Sequence, residues 1–474
     1  MARKLETVYR ASLTLIDGVF ERDVAVVESD GKITDILSND EFDRRGESDR
    51  RVIDLDNRAL LPGQINVHSH AFQRSLRGKT EYRHQGEGDD DFWSWRTEMY
   101  RLANRITADE MEIIARLAFL EMSRSGITHV GEFHYVHHRP DGGEYENPNE
   151  LALRIAEAAK EVGLRITLMP VAYHTGDIDR PAKKEQRRFI HGDVETYLQR
   201  VHALAEHFED AALVEVAMAP HSIRAVPRGW MEAIAESAKA ASMPVHIHVC
   251  EQRQEVQASR QAYGAAPVEA LYEWGVLDAS WTLIHGTHLS DREFDIVEEV
   301  RPTIGACPST ERNLGDGFLP AQALVERGVP IALGSDSHTL IDPFTEMRLV
   351  EYHERLRCEE RNVLVRSSGE ALSSSAHLLW PMGTRHGARS LGTTGGALRE
   401  GAPADLVAVD LDHLSIAGAT ATTLLSDVVL SMSADAVRHV VVNGQPVVVE
   451  GAHEREREWI GQYRELMTRY AAGE

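Results

Sequence analysis

A pair of histidines, His68 and His70, ends an apolar segment that begins at Leu61. The segment has the composition of a β-strand, in which alternate side chains share a face, so both imidazoles point the same way. Imidazole nitrogens are common metal ligands in proteins. The pair therefore predicts half of a metal site, provided that other segments supply the remaining ligands.

Metal-binding side chains also stand at the ends of three other apolar segments. His248, His285 and Asp336 each end such a segment or closely follow it. A catalytic zinc ion takes three or four nitrogen or oxygen ligands and leaves a position for water. The predicted ligands are His68, His70, His248 and Asp336.

Proton transfer beside this metal requires an acid or base, and Glu251 stands three residues after His248. A carboxylate there can take a proton from a water that the metal activates and pass it to a leaving nitrogen. His285 is predicted to polarise the electrophilic centre or to hold the attacking water. His246 shares the face of His248 but lies deeper in its strand, so we interpret it as a core group or a support behind the ligands.

Eight apolar segments with strand composition occur in the chain, and amphipathic helical stretches separate most of them. They are the segment that ends at His70 and the segments 127–133, 165–170, 213–217, 244–248, 281–285, 303–306 and 331–334. This alternation predicts an α/β protein built on a parallel (β/α)8 TIM-like barrel. A doubly wound open sheet is the alternative, although no GxGxxG motif follows a first strand. Barrel enzymes carry their active sites at the carboxyl ends of the strands, where the polar residues lie here.

The sequence favours one metal ion per chain rather than two. Many metal hydrolases of this architecture hold two ions bridged by a carboxylated lysine on a central strand. The segments 165–170 and 213–217 contain no lysine, which favours a single ion. Zinc is the predicted ion, and Fe²⁺ also suits three histidines and one aspartate.

The two ends of the chain are rich in short strands and turns. Asp30-Gly31 and Asn443-Gly444 each separate two β-rich runs, which is a strong hairpin signal. We predict that residues 1–60 and 393–455 form one small β-sandwich domain. Residues 61–392 then form the metal-dependent barrel, and 456–474 form a C-terminal helix.

Composition narrows the class of function. The 474-residue chain carries a formal net charge of −24, which argues against nucleic acid or an anionic membrane surface as a partner. It has only three cysteines, and no segment approaches the ~20 apolar residues of a membrane span. The start of the chain lacks the apolar stretch of a signal peptide. We expect a cytoplasmic enzyme that acts on a small molecule.

The whole pattern resembles the amidohydrolase superfamily, in its branch of mononuclear deaminases. The segments 68–74, 92–96, 131–138, 219–224 and 313–317 are similar to those of the formimidoylglutamate deiminases, a family that takes part in histidine breakdown. The resemblance implies hydrolysis of N-formimidoyl-L-glutamate to N-formyl-L-glutamate and ammonia by a homodimer. It also implies that Glu251, His285 and Asp336 are catalytic. The implied substrate-binding residues are Gln73, Arg96, Tyr135, His221 and Arg224.

The two arginines suit a substrate with two carboxylates, because a guanidinium binds a carboxylate through two parallel hydrogen bonds. Arg224 follows the fourth strand, near the predicted mouth of the barrel. Arg96 lies in a long segment that we interpret as a lid, and Trp93 and Trp95 are predicted to pack within it. Arg312 departs from the family pattern at a position that we expect at the edge of the pocket.

Two other functions are compatible with parts of this pattern. One is a deaminase of a guanine-like or other aminated heterocycle. The other is a non-catalytic assembly protein on the same barrel. The presence of all four predicted ligands together with Glu251 argues against the non-catalytic alternative.

Overall fold

The computed structural model describes residues 6–45, 50–82, 90–365 and 373–472. The strands are β1 (Glu6–Arg10), β2 (Leu13–Ile16), β3 (Val19–Glu21), β4 (Val24–Ser29), β5 (Lys32–Ser38), β6 (Arg50–Asp54), β7 (Arg58–Pro62), β8 (Gln64–Ser69), β9 (Ile127–His134), β10 (Arg165–Ala172), β11 (Val214–Val216), β12 (Ala219–Pro220), β13 (Val245–Val249), β14 (Trp281–His285), β15 (Thr303–Ala306), β16 (Ile331–Leu333), β17 (Leu406–Asp410), β18 (Val437–Val442) and β19 (Gln445–Val448).

The helices are α1 (Asn39–Arg44), α2 (Phe92–Ala103), α3 (Ala108–Arg124), α4 (Glu150–Val162), α5 (Val194–His207), α6 (Arg228–Ala241), α7 (Arg253–Tyr263), α8 (Pro267–Glu273), α9 (Asp291–Val300), α10 (Pro308–Leu314), α11 (Ala321–Glu326), α12 (Pro343–Cys358), α13 (Ala376–Leu379), α14 (Arg385–Ser390), α15 (Leu424–Leu430) and α16 (Glu456–Ala472). None of these helices, within the residues described, is both long enough and apolar enough to cross a bilayer. Residues 1–5, which belong to the segment predicted to lack a signal peptide, lie outside the described residues.

The predicted barrel is confirmed. Strands β8 to β11 form one parallel sheet and β13 to β16 form another. Parallel bridges from Ser69 to Asp336 and from Met218 to Val245 join the two sheets into a closed ring. All strand side chains of β8, β9, β10 and β13 are buried, as expected for strands covered on both faces.

The structure differs from the sequence prediction at two barrel strands. The predicted fourth strand is split into β11 and β12, and both halves pair with β10. The first barrel strand begins at Gln64, because Leu61 and Pro62 belong to β7 and pair with β17. Gly63 lies between the two strands. A side chain does not fit there, because its Cβ atom would lie 2.1 Å from the hydroxyl oxygen of Thr128.

The small domain is a β-sandwich made from both ends of the chain. A four-stranded sheet, in the order β5-β4-β1-β6, packs against a six-stranded sheet, β19-β18-β17-β7-β2-β3. Both predicted hairpins form, and their turn residues Asp30, Gly31, Asn443 and Gly444 all have positive φ. The predicted boundary after residue 60 falls inside β7, two residues before its end.

A buried ion pair connects the sandwich to the barrel. The Arg165 guanidinium at the start of β10 donates to Asp405, and both side chains are 8% exposed. Asp405 also accepts from the backbone N–H of Asn443. Helix α16 packs against α3, which begins with Thr107 and Glu110 as a capping box. The sandwich and α16 therefore brace one side of the barrel.

Candidate active site

The site lies at the carboxyl ends of the barrel strands, where three non-glycine residues have a left-handed backbone. Cys250 after β13, His285 at the end of β14 and Asp336 after β16 have φ values of 53°, 74° and 44°. This conformation costs about 1–2 kcal/mol for a residue with a Cβ atom, so it persists only where the surroundings enforce it. At these strand ends it turns the chain so that Glu251, His285 and Asp336 face the same cavity.

Three histidines from two strands converge on one point. The Nε2 atoms of His70 and His248 each lie 3.1 Å from Nε2 of His68. His70 Nδ1 donates to the Phe133 carbonyl at 2.8 Å, and His248 Nδ1 donates to the His221 carbonyl at 2.9 Å. These hydrogen bonds orient both rings so that their Nε2 atoms point to the common point.

Asp336 completes this group from a third strand. Its Oδ1 atom lies 3.2 Å from His70 Nε2 and 3.5 Å from His68 Nε2. Backbone hydrogen bonds hold it there, since its N–H donates to the His68 carbonyl and its own carbonyl accepts from the His70 N–H. Two ligands of a tetrahedral zinc ion are about 3.3 Å apart when each bond is about 2.0–2.1 Å long. The separations of 3.1–3.5 Å that join His68 to the other three side chains, and His70 to Asp336, are close to that value.

The chemistry of these donors fits a divalent cation. Burial lowers the pKa of His68 to about 3, and burial also holds the pKa of His248 well below its usual range. Neutral imidazoles therefore coexist at contact distance. His68 can donate a proton to only one neighbouring lone pair, and its buried Nδ1 has no hydrogen-bond partner. A cation at the common point satisfies all three Nε2 atoms and the Asp336 carboxylate at once.

A second group of potential ligands lies beside the first. The donor atoms of His285, Cys307 and Asp336 all lie within 4.8 Å of one another, and Cys307 is completely buried. Burial raises the pKa of this thiol well above its usual range, which disfavours the thiolate that binds metals. The geometry therefore favours the group of three histidines and Asp336 as the candidate metal site.

Glu251 and His285 form a buried acid–base pair at the edge of this site. His285 Nε2 lies 3.7 Å from Glu251 Oε1 and 3.8 Å from Asp336 Oδ2. Burial alone would lower the pKa of His285, but the carboxylates of Glu251, Glu311 and Asp336 raise it to about 10. Burial raises the pKa of Glu251. The pair thus places a cationic imidazole next to a carboxyl group whose pKa is raised, which suits a group that exchanges protons.

A cavity opens in front of these groups, and its wall includes every predicted catalytic and substrate-binding residue. The predicted residues that line it are His70, Gln73, Arg96, Tyr135, His221, Arg224, His248, Glu251, His285 and Asp336. His68 lies behind this wall and is completely buried. The roles of these residues stay predictions, but the fold brings them together.

Both predicted arginines are held near the cavity by aromatic rings. The guanidinium carbons of Arg96 and Arg224 lie 5.4 Å and 5.8 Å from the centre of the Trp93 ring. Arg224 is 6% exposed, and its Nε atom has no hydrogen-bond partner among the described residues. The Gln73 Oε1 atom is likewise buried without a partner in this part of the chain, while its Nε2 donates to the Tyr135 hydroxyl at 2.7 Å. Buried polar atoms of this kind are rare unless a ligand or water completes them.

The segment around Arg96 differs from the sequence prediction. It forms a regular helix, α2, which Asp91 caps through the backbone N–H groups of Trp93 and Ser94. Trp95 lines the cavity and also packs against the core, so the prediction that it packs within the lid stays a prediction. The amphipathic spacing of 92–103 could have revealed this helix.

Other residues near the site were missed or misjudged. Arg312 is exposed and does not line the cavity, whereas Leu314 does. Glu311, which accepts from His285 Nδ1 at 3.4 Å, was not singled out. The interpretation of His246 as a core group agrees with its position, since its Nε2 donates to the Ser390 carbonyl at 3.0 Å.

Comparison with known proteins gives concordant matches. The model of the amidohydrolase family matches residues 59–447. The chain is 39% identical over 399 residues to a formimidoylglutamate deiminase of Pseudomonas aeruginosa, covering 84% of this chain and 86% of that protein. It is 28% identical to an 8-oxoguanine deaminase of the same species, with 90% of each chain covered. A crystal structure of an amidohydrolase from Brucella melitensis superimposes with a TM-score of 0.86 at 32% identity, covering 97% of this chain and 98% of that one.

Proposed function

Since the chain belongs to the amidohydrolase family and is a hydrolase of carbon–nitrogen bonds, we propose that it hydrolyses N-formimidoyl-L-glutamate. Water adds to the formimidoyl carbon, the bond to the terminal nitrogen breaks, and N-formyl-L-glutamate and ammonia leave. The observation that carries this proposal is the placement of two arginines, Arg224 buried and Arg96 half-buried, in the same cavity as Glu251 and His285.

The proposed metal ligands are His68, His70, His248 and Asp336, which present four donor atoms to one point. A single zinc ion is the proposed occupant, and Fe²⁺ is compatible with the same donors. When bound, such an ion supplies Lewis-acid activation of a water molecule at neutral pH.

The protein side chains supply the proton transfers. Glu251 takes a proton from the attacking water and passes it to the departing nitrogen. His285, which neighbouring carboxylates keep cationic, stabilises the tetrahedral centre from one side, and Asp336 stabilises it from another. Burial of all three side chains strengthens these electrostatic interactions, because little water screens them.

The other half of the cavity binds the glutamate portion in this proposal. Arg96 and Arg224 supply positive charge for two carboxylates, and Gln73, Tyr135 and His221 complete the binding surface. A heterocycle such as 8-oxoguanine has no carboxylate to pair with these guanidiniums. The second candidate, deamination of an aminated heterocycle, is supported by the 28% identical relative but leaves both cations without a counterion.

Replacement of Arg224 with methionine tests the recognition of an acidic substrate. We expect KM for formimidoylglutamate to rise about 100-fold, since a hydrogen bond to a charged group contributes about 1.5–3 kcal/mol, while kcat changes less. Turnover of N-butylformamidine, which has no carboxylate, should be unaffected. Arg228→Met is the matched control, because Arg228 is exposed on α6 and pairs with Glu232. Equal losses on both substrates would show that Arg224 does not bind a carboxylate.

The remaining parts of the proposal come from the sequence. The three cysteines are free, as expected in a reducing compartment. A cytoplasmic location and a homodimer stay predictions.

A further inference from the structure

Two tyrosines, Tyr173 buried and Tyr100 half-buried, meet around the guanidinium of Arg96. Tyr100 lies one turn after Arg96 on α2, and Tyr173 follows β10. Arg96 Nη2 donates to the Tyr173 hydroxyl oxygen at 3.2 Å, and Arg96 Nε donates to that of Tyr100. Gln186, which is 1% exposed, donates through Nε2 to Tyr173 at 2.7 Å and to Tyr100 at 3.3 Å.

This cluster contains more hydrogen-bond donors than acceptors. Each phenol oxygen has two lone pairs and one proton of its own. Arg96 donates to both oxygens, and the two N–H groups of Gln186 have three acceptors in reach, the two phenols and the Gly176 carbonyl at 3.5 Å, so N–H donors occupy at least three of the four lone pairs. If the Tyr100 hydroxyl donates to Tyr173 instead, the Tyr173 proton still lacks an acceptor. In the part of the chain that the structure describes, no carboxylate or carbonyl oxygen accepts from either phenol.

An excess of donors around a guanidinium is the chemistry of an anion site. The Tyr173 ring lies 4.6 Å from the ring of His221, centre to centre, and both His221 and Arg96 line the cavity. Tyr173 itself is 2% exposed. Arg96 already donates to the Tyr173 hydroxyl, so a carboxylate that binds Arg96 beside His221 would lie next to that phenol.

We propose that the Tyr173 hydroxyl donates a hydrogen bond to a substrate carboxylate that Arg96 binds, with Gln186 and Tyr100 positioning both groups. This inference rests on the proposed function and assigns Tyr173 to the substrate site. The carboxylate supplies the acceptor that the cluster lacks. Gln186 is a positioning residue, since its backbone belongs to a short turn (Lys184–Gln186) and its Nε2 links the two phenols.

The test compares two substrates in the Tyr173→Phe variant of the metal-loaded full chain. We expect KM for formimidoylglutamate to rise about tenfold with kcat within about twofold of the unaltered enzyme. The kcat/KM for N-butylformamidine should stay unchanged, since that substrate has no carboxylate. Tyr272→Phe serves as the matched control, because the Tyr272 hydroxyl bonds Glu299 at the surface.

Each result of this test either supports or overturns the proposed role of Tyr173. A rise of KM restricted to the dicarboxylate supports it. Unchanged KM for formimidoylglutamate, or equal losses on both substrates, would overturn it, because misfolding or a merely structural role affects both reactions. Gln186→Leu offers a second variant and should show the same selective rise to a smaller extent. If the unaltered enzyme releases no ammonia from formimidoylglutamate, the proposed function fails, which is a separate result.

Discussion

Replacing Glu251 with glutamine is expected to lower kcat for formimidoylglutamate about 1000-fold while the metal stays bound. The amide has nearly the same size and shape but cannot accept the proton of the attacking water. Glu251 is not one of the proposed ligands His68, His70, His248 and Asp336, so the variant keeps the whole ligand set. Ammonia release and metal content, measured on the same sample, check both halves of the expectation.

Glu273→Gln is the matched control for this variant. Glu273 ends α8 and is exposed, so loss of its charge should leave turnover unchanged. Turnover within a few-fold of normal in Glu251→Gln would contradict the assignment of Glu251 as the proton-transfer group. Loss of the metal in that variant would instead make Glu251 a ligand, which the proposed set does not include.

Replacing His248 with glutamine is expected to abolish both zinc binding and turnover. A ligand that binds only the folded state stabilises it by RT ln(1 + [L]/Kd), or about 4 kcal/mol at 1000 times Kd. The unaltered protein should therefore unfold several degrees lower after chelation and recover when zinc returns. His248→Gln should show no such zinc-dependent shift in a thermal unfolding measurement.

His246→Gln is an exacting control, because His246 lies two residues earlier on the same strand. Its Nε2 bonds the Ser390 carbonyl, so its replacement should lower the free energy of unfolding and still leave the zinc-dependent shift in place. The opposite pattern, in which His246→Gln loses the shift and His248→Gln retains it, would show that the wrong histidine has been assigned to the metal.

The convergence of the candidate metal ligands could be predicted from sequence because strands impose a strict period of two. His68 and His70 share a face for that reason, and the same rule makes His246 an alternative to His248. Depth in the strand then selects His248, which agrees with its contact to His68. Asp336 could be placed because parallel barrels gather strand ends at one mouth.

The surroundings of Arg96 could not be predicted in the same way. Tyr173 and Gln186 lie in the long connection between β10 and α5, where no periodic pattern constrains the chain. Their convergence on Arg96 depends on how α2 packs over the mouth, which is a tertiary contact. The split between β11 and β12 was likewise invisible, since Ala217 and Met218 are as apolar as the strands they separate.

The strand boundary at Gly63 also could not be predicted from the sequence. Gly63 sits within a continuous apolar run, so the sequence reads as one strand from Leu61 to His70. Only the close approach of Thr128 shows why the chain must break there, between a sandwich strand and the first barrel strand. Packing between distant segments, rather than local propensity, sets this boundary.

We propose that this enzyme uses one metal ion to release ammonia from N-formimidoyl-L-glutamate. The most direct measurement is ammonia release from formimidoylglutamate and from 8-oxoguanine, with metal content determined on the same preparation. We expect about one zinc or iron ion per chain and a kcat/KM for formimidoylglutamate that is at least about 100-fold higher than that for 8-oxoguanine, a difference of about 2.7 kcal/mol. Preferential release of ammonia from 8-oxoguanine, or turnover that survives removal of the metal, would contradict it.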